Sequence, residues 1–246
     1  MTIFDNEFWP ITSSIGLING TLPDAGKAFE NWETSNICKY KQFLNRRQVV
    51  GSAAQLISAL LPLSTILPTR YLLFSLSDHW TGFLDNGWRG SDPAGVVAAL
   101  SERMETTCIR ATHNANTVIN GQRRHMLGAT IFEVFVNSLR QRRSIACVNE
   151  GSNWVFEQSG DPFPFEDVEA YRCHQVMQRF TASMLNKYVK AFTGIELFCE
   201  QPGVNAEEHL EGILFQKTGM IPSPITYITL NEARGKAGLP PSSCLS

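Results

Sequence analysis

The chain is short of charge and has none of the sequence signatures that usually announce chemistry. Charged residues make up 18% of its 246 positions, and 23 acids against 21 bases leave a formal net charge of −2. A field that weak draws in neither nucleic acid nor an anionic membrane, so neither is expected as a partner. The basic clusters at Arg46-Arg47, Arg123-Arg124 and Arg140 to Arg143 are short and read as solvated strand ends or loops. The six cysteines (Cys38, Cys108, Cys147, Cys173, Cys199 and Cys244) include no CxxC pair, which excludes zinc-ribbon and thioredoxin-type motifs. Scattered single cysteines fit buried thiols in a reducing compartment.

The five histidines, His79, His113, His125, His174 and His209, never stand at ligand spacing from one another. No metal and no cofactor is therefore expected. Nucleophile-elbow, P-loop and dinucleotide fingerprints are absent, and Gly87-Trp-Arg-Gly90 lacks the spacing that aims backbone amides at phosphate. Cys173-His174 is a neighbour pair, but adjacent residues on a helix point about 100° apart and do not face each other. The first eight residues have neither a basic region nor an apolar run, unlike a signal peptide. Gln48 to Thr69 is uncharged, yet Pro62, Pro68 and several hydroxyl residues argue against a spanning helix. The expected location is the cytoplasm.

What is present is a pattern of strands and capped helices. Thr21-Leu-Pro-Asp opens a helix running to about Ser35, and Ser52 caps a second that Pro62 ends. Strands are predicted at Phe43–Val50, Arg70–Leu76, Trp80–Asp85, Thr107–Thr112, Ala129–Val136, Arg143–Asn149 and Asn153–Gln158. The nearly continuous apolar run of Arg70–Leu76 suits a strand covered on both faces. Asp92-Pro93 opens a helix after the second hairpin strand, with Asp92 as its cap. Further helices are expected over Glu166–Gln178 and Ala182–Phe192, and capping boxes at Asn205/Glu208 and Thr229/Glu232 start two short ones. Strands in hairpin runs without regular strand–helix alternation predict an α+β fold, a largely antiparallel mixed sheet of about six or seven strands with helices packed on it. Residues 1–195 would form one α+β domain, and 196–246 a C-terminal extension of two short helices packed on it.

Two turns carry the candidate contact residues. In Trp80-Thr-Gly-Phe-Leu-Asp-Asn-Gly-Trp-Arg-Gly-Ser-Asp-Pro93, an aromatic strand enters an Asp-Asn-Gly turn, followed by a tryptophan and a cation between glycines. Trp88 and Arg89 have the composition of an interface hot spot, while packing of Trp88 over the sheet edge is the plainer alternative. Asp85 joins them as a candidate, although it has an ordinary duty in shaping the turn. Around the second turn Glu157, Asp161 and Glu166 form an acidic group with the same potential to meet a partner.

Tyr71-Leu-Leu-Phe, the Trp80–Asp92 stretch, Arg143-Ser-Ile-Ala, Asn153-Trp-Val-Phe-Glu-Gln-Ser-Gly, Pro164-Phe-Glu, Arg179-Phe-Thr and Met184-Leu occur in this order. Together they resemble a group of uncharacterised bacterial cytosolic proteins over roughly residues 43–195, some of which resemble the immunity proteins of polymorphic toxin systems. The resemblance implies a binding protein that blocks a cognate toxin or effector domain by occlusion. The alternative is a hydrolase with a site assembled from distant residues, with Asp85, Asp92 and His79 gathered at the mouth of one hairpin. A third is a homo-oligomeric structural protein; the sequence leaves the oligomeric state open.

Overall fold

The computed structural model describes residues 6–117, 126–137, 140–197, 209–220 and 225–243. In chain order these form β1 (Ser14–Asn19), α1 (Leu22–Ile37), β2 (Gln42–Gly51), α2 (Ala53–Ser58), β3 (Leu63–Ser64), β4 (Arg70–Ser77), β5 (Trp80–Asp85), α3 (Ala94–Arg103), β6 (Thr107–Asn114), β7 (Ala129–Val136), β8 (Gln141–Asn149), β9 (Trp154–Ser159), α4 (Ala182–Thr193), β10 (Leu210–Gly219), β11 (Tyr227–Ile228) and α5 (Leu230–Lys236). Nine strands make one sheet in the order β2-β10-β4-β5-β1-β6-β7-β8-β9, while β3 and β11 pair separately. Every neighbouring pair in the large sheet is antiparallel. The α+β class and the antiparallel sheet stand; the expected six or seven strands become nine.

The two additional strands are both interior. β1 lies between β5 and β6, and β10 between β2 and β4. Each carries a glycine mid-strand, which weakens strand propensity in a sequence reading. Gly16 is required by close packing, because a Cβ there would stand 2.8 Å from Val97 Cγ1 on α3 and 3.0 Å from Pro93 Cβ. The extension expected over 196–246 is corrected accordingly: its described part contributes β10 to the sheet as well as the single short helix α5. Asn205 and Glu208 lie outside the described residues.

Alternation along the strands builds two cores. On β4, Tyr71 and Leu73 join the α1 and α3 side, where Phe29 meets the rings of Phe215, Tyr71 and Phe83 at 5.0, 5.2 and 5.7 Å. Leu72 and Phe74 join the larger core beneath α2, α4 and α5, which also holds Trp80. The Arg70–Ser77 run is thus covered on both faces, as its composition implies. Trp154 and Phe156 pack against the larger core from the edge strand β9 and are half-buried.

Most caps are where the sequence places them. Ser52 with Gln55 and Thr229 with Glu232 form reciprocal capping boxes, and Gly194 ends α4 in the left-handed region at φ 77°. Two expectations are corrected. Asp92 does not cap α3; Pro93 stands at that position without a side-chain bond, and the Asp92 carboxylate approaches Arg110 at 3.7 Å. No α-helix covers Glu166–Gln178, which holds only the 3-10 turns Ala170–Arg172 and Val176–Gln178. Side chains there satisfy main-chain groups that a helix would otherwise pair. Tyr188 Oη accepts from Asp167 N–H at 2.7 Å, Arg179 Nε donates to Cys173 O at 2.8 Å, and Cys147 Sγ donates to Val176 O at 3.3 Å. Among the described residues no helix is long and apolar enough to cross a membrane.

Candidate interaction site

The Asp85–Trp88 turn is built around two buried polar side chains. Asp85, at the end of β5, is 2% exposed. Its Oδ1 accepts from Gly87 N–H at 2.8 Å, its Oδ2 accepts from Asp92 N–H at 3.0 Å, and its own N–H donates to Ser91 Oγ at 3.1 Å. Burial pushes its carboxyl up to about 6, against the opposing pull of the two amides. Asn86 is fully buried: Oδ1 accepts from Thr69 and Arg70 N–H at 2.8 and 3.0 Å, and Nδ2 donates to Pro62 O at 2.9 Å. These bonds tie the turn to the 62–69 connection, so the backbone beneath Trp88 is held from both sides. Trp88 N–H completes the tie by donating to Ser64 O at 3.0 Å.

On that base the Trp88 indole is half-buried, one part against the larger core. Two cations flank its ring: the Arg89 guanidinium carbon at 5.0 Å from the centroid, and Lys236 Nζ at 5.6 Å. Arg89 is exposed. Sequence reasoning reaches Trp88 and Arg89 but misses Lys236, which α5 brings in from almost 150 positions away along the chain. No local pattern signals that approach.

The second turn is organised differently. Glu157 is exposed on β9, and Asp161 has 91% of its side chain in solvent, 3.7 Å from Arg142. The Glu166 side chain is fully buried, 0% exposed against 1% for that of Arg143. Arg143 Nε donates to both Glu166 oxygens at 2.9 and 3.2 Å, and Nη2 donates to Oε2 at 2.5 Å. Its remaining donors reach Gly160 O at 2.9 Å, Ser159 O at 3.1 Å and Gln158 Oε1 at 2.7 Å. Tyr171 Oη donates to Glu166 Oε2 at 2.8 Å, and Glu166 Oε1 accepts from Phe163 N–H at 2.9 Å. Arg143 is therefore no solvated strand end. It shares the inward face of β8 with Ile145 and Cys147, a period-two signal visible in the sequence.

The six expected contact residues do not form one surface. Asp85 and Glu166 are interior and present nothing to a partner. Asp85 ends β5 and Asp161 lies just beyond the C-terminal end of β9; the two strands run in opposite directions, and five inter-strand steps separate them, about 24 Å. Trp88 with Arg89, and Glu157 with Asp161, therefore occupy distant places. The hydrolase constellation is not assembled either: His79 lies beyond the opposite end of β5 from Asp85, roughly 17 Å of strand away. No three His, Cys, Asp or Glu side chains among the described residues cluster to hold a metal ion.

No family model, curated protein or solved structure matches the chain. The site is therefore read from its own geometry. The pairing of a half-buried indole with two cations, on a turn fixed by buried hydrogen bonds, has the chemistry of a preorganised contact for an acidic, partly apolar surface.

Proposed function

We propose that this chain is a bacterial cytoplasmic binding protein that neutralises a cognate toxin or effector domain by direct contact and occlusion, as immunity proteins do. The observation that carries the reading is the Trp88 indole between Arg89 and Lys236. Tryptophan and arginine dominate interface hot spots, and a contact whose backbone is already fixed loses little entropy on binding. Lys236 adds a second charge from another element, which favours an acidic patch on the partner and would raise its association rate.

A stable complex needs about 1,200–2,000 Å² of total buried surface. An interface of that size centred on Trp88 leaves Glu157 and Asp161 outside it. The test is co-expression with the small toxin domain encoded beside this gene. Protection of the cells, together with a complex on size exclusion that Trp88→Ala and Arg89→Ala disrupt, is the expected result. Full toxicity with no complex would overturn the proposal.

A further inference from the structure

A second site lies on the same half of the sheet as the Trp88 turn, on the α2 face near the β2 edge. A cavity of about 330 Å³ opens there, lined by Asn45, Arg46, Arg47, Ala59, Arg70, Leu214 and Gln216. Strand register explains how it is made. Asn45, Gln216 and Arg70 are directly opposed in one row across β2, β10 and β4, and Arg47 stands opposite Leu214 two positions along β2. Side chains two apart on a strand share a face, so Asn45 and Arg47 project with Gln216 and Arg70 to one side of the sheet. Arg46 projects to the other, where its guanidinium meets Glu30 at 3.2 Å.

β2 and β4 flank β10, so the stems of Arg47 and Arg70 rise about 12 Å apart on a diagonal across Leu214 and Gln216. Arg70 is held in place by Nη1, which donates to the carbonyls of Leu61 and Ala59. That leaves its Nε and Nη2 for another acceptor. Arg47 is exposed, and its side chain has neither an ion pair nor a hydrogen bond among the described residues. No carboxylate is among the lining residues. Asn45 Nδ2 donates to Thr218 Oγ1 at 3.4 Å, so the two guanidinium groups, over an apolar floor and with no carboxylate in the lining, are the donors that remain for an anion.

We infer that this cavity is a binding site for a small organic oxyanion, held between Arg47 and Arg70 with its apolar remainder over Ala59 and Leu214. A guanidinium matches phosphate and carboxylate alike through paired N–H bonds. The volume is at the lower end of that of small-molecule sites, about 300–1,000 Å³. The inference does not rest on the Trp88 reading, although the Arg70 backbone bonds to Asn86 in the turn beneath Trp88.

The probes are phenyl phosphate and benzoate, which share one ring and differ in the oxyanion, with inorganic phosphate as the ringless reference. Binding is read by calorimetry and thermal shift at low ionic strength against matched potassium chloride. The expected result is saturable binding of at least one aromatic probe, tighter than inorganic phosphate, with the stronger of the two identifying the oxyanion. Arg47→Ala should weaken it about tenfold, the loss of one charge-assisted contact. Because Arg47 is exposed, the variant's own melting temperature should not change. Absence of binding at millimolar probe overturns the inference, as does a response that chloride reproduces or that Arg47→Ala and Arg47→Glu leave intact.

Discussion

The two acid-bearing turns look alike as sequence, each an aromatic strand followed by a glycine, acids and a proline, yet they handle charge in opposite ways. In the Asp85 turn the buried carboxyl is bonded by backbone amides, with a hydroxyl and the Asp92 carboxylate nearby, and the cations stay outside on Trp88. In the second turn the cation itself is buried, locked to Glu166 and to three further acceptors. A carboxyl without a cation is pushed toward its neutral form. A carboxylate gripped by a guanidinium and a phenol keeps a full network. One turn is a pedestal for an exposed feature, and the other is a clamp holding the irregular 160–181 segment to the sheet.

The contrast breaks most sharply at the clamp. Glu166→Ala strands a buried guanidinium and should lower unfolding stability by about 3–5 kcal/mol, read as a reduced denaturant midpoint. A loss under about 1 kcal/mol would mean that the pair is solvated and the clamp reading wrong.

At the pedestal the signature is pH. The Asp85 carboxyl, raised from 3.8 to about 6, contributes stability that is fully present below its unfolded value and lost as pH rises through about 6. Relative to Asp85→Asn, the wild type should therefore gain on acidification from pH 7 to 4, by at most about 3 kcal/mol. His113, which burial lowers to about 4, has the opposite sign, its contribution being lost as pH falls through that range. It is present in both proteins and cancels in the difference. Parallel stability curves for the two proteins would remove the neutral-carboxyl account.

Trp88→Ala should cost about 2 kcal/mol of folding stability, less than for a fully buried tryptophan, and a comparable or larger loss in partner affinity. A purely structural residue would show the first effect alone. Arg89→Ala should leave stability within about 0.5 kcal/mol and affect binding only. The double change Glu157→Lys with Asp161→Lys, on exposed residues at the far turn, should change neither.

Much of the scaffold was legible because its signals are local. Seven strands, the approximate places of all five α-helices and the Ser52 and Thr229 capping boxes follow from periodicity and neighbouring residues. What was not legible depends on distant partners. Gly16 and Gly212 dilute β1 and β10 because α3 and the adjacent strands press on them, a fact that appears only once the layers are stacked. The 166–178 segment resembles a helix until Tyr188 and Arg179 take its backbone groups. Of the candidate site, Trp88 and Arg89 could be named because a large ring and a charge between glycines lack an evident packing duty. Asp85 and Glu166 were misplaced because a carboxylate's burial is decided by what surrounds it and not by its neighbours in sequence.

The position of β10 has a kinetic consequence. Gln42 Nε2 donates to the carbonyl of Met220, 178 positions later, at one end of the β2–β10 ladder. On the ribosome, β2 and the β4–β5 hairpin emerge early, facing each other across a gap one strand wide. At typical elongation rates the filling strand follows roughly 7–30 s later. Until then both flanks of the gap present unpaired amides and carbonyls, the template on which strands of other chains add. Closure also awaits a long loop, which places the fold among slow, high-contact-order topologies. The nascent chain is therefore at its most vulnerable just before its last long strand arrives.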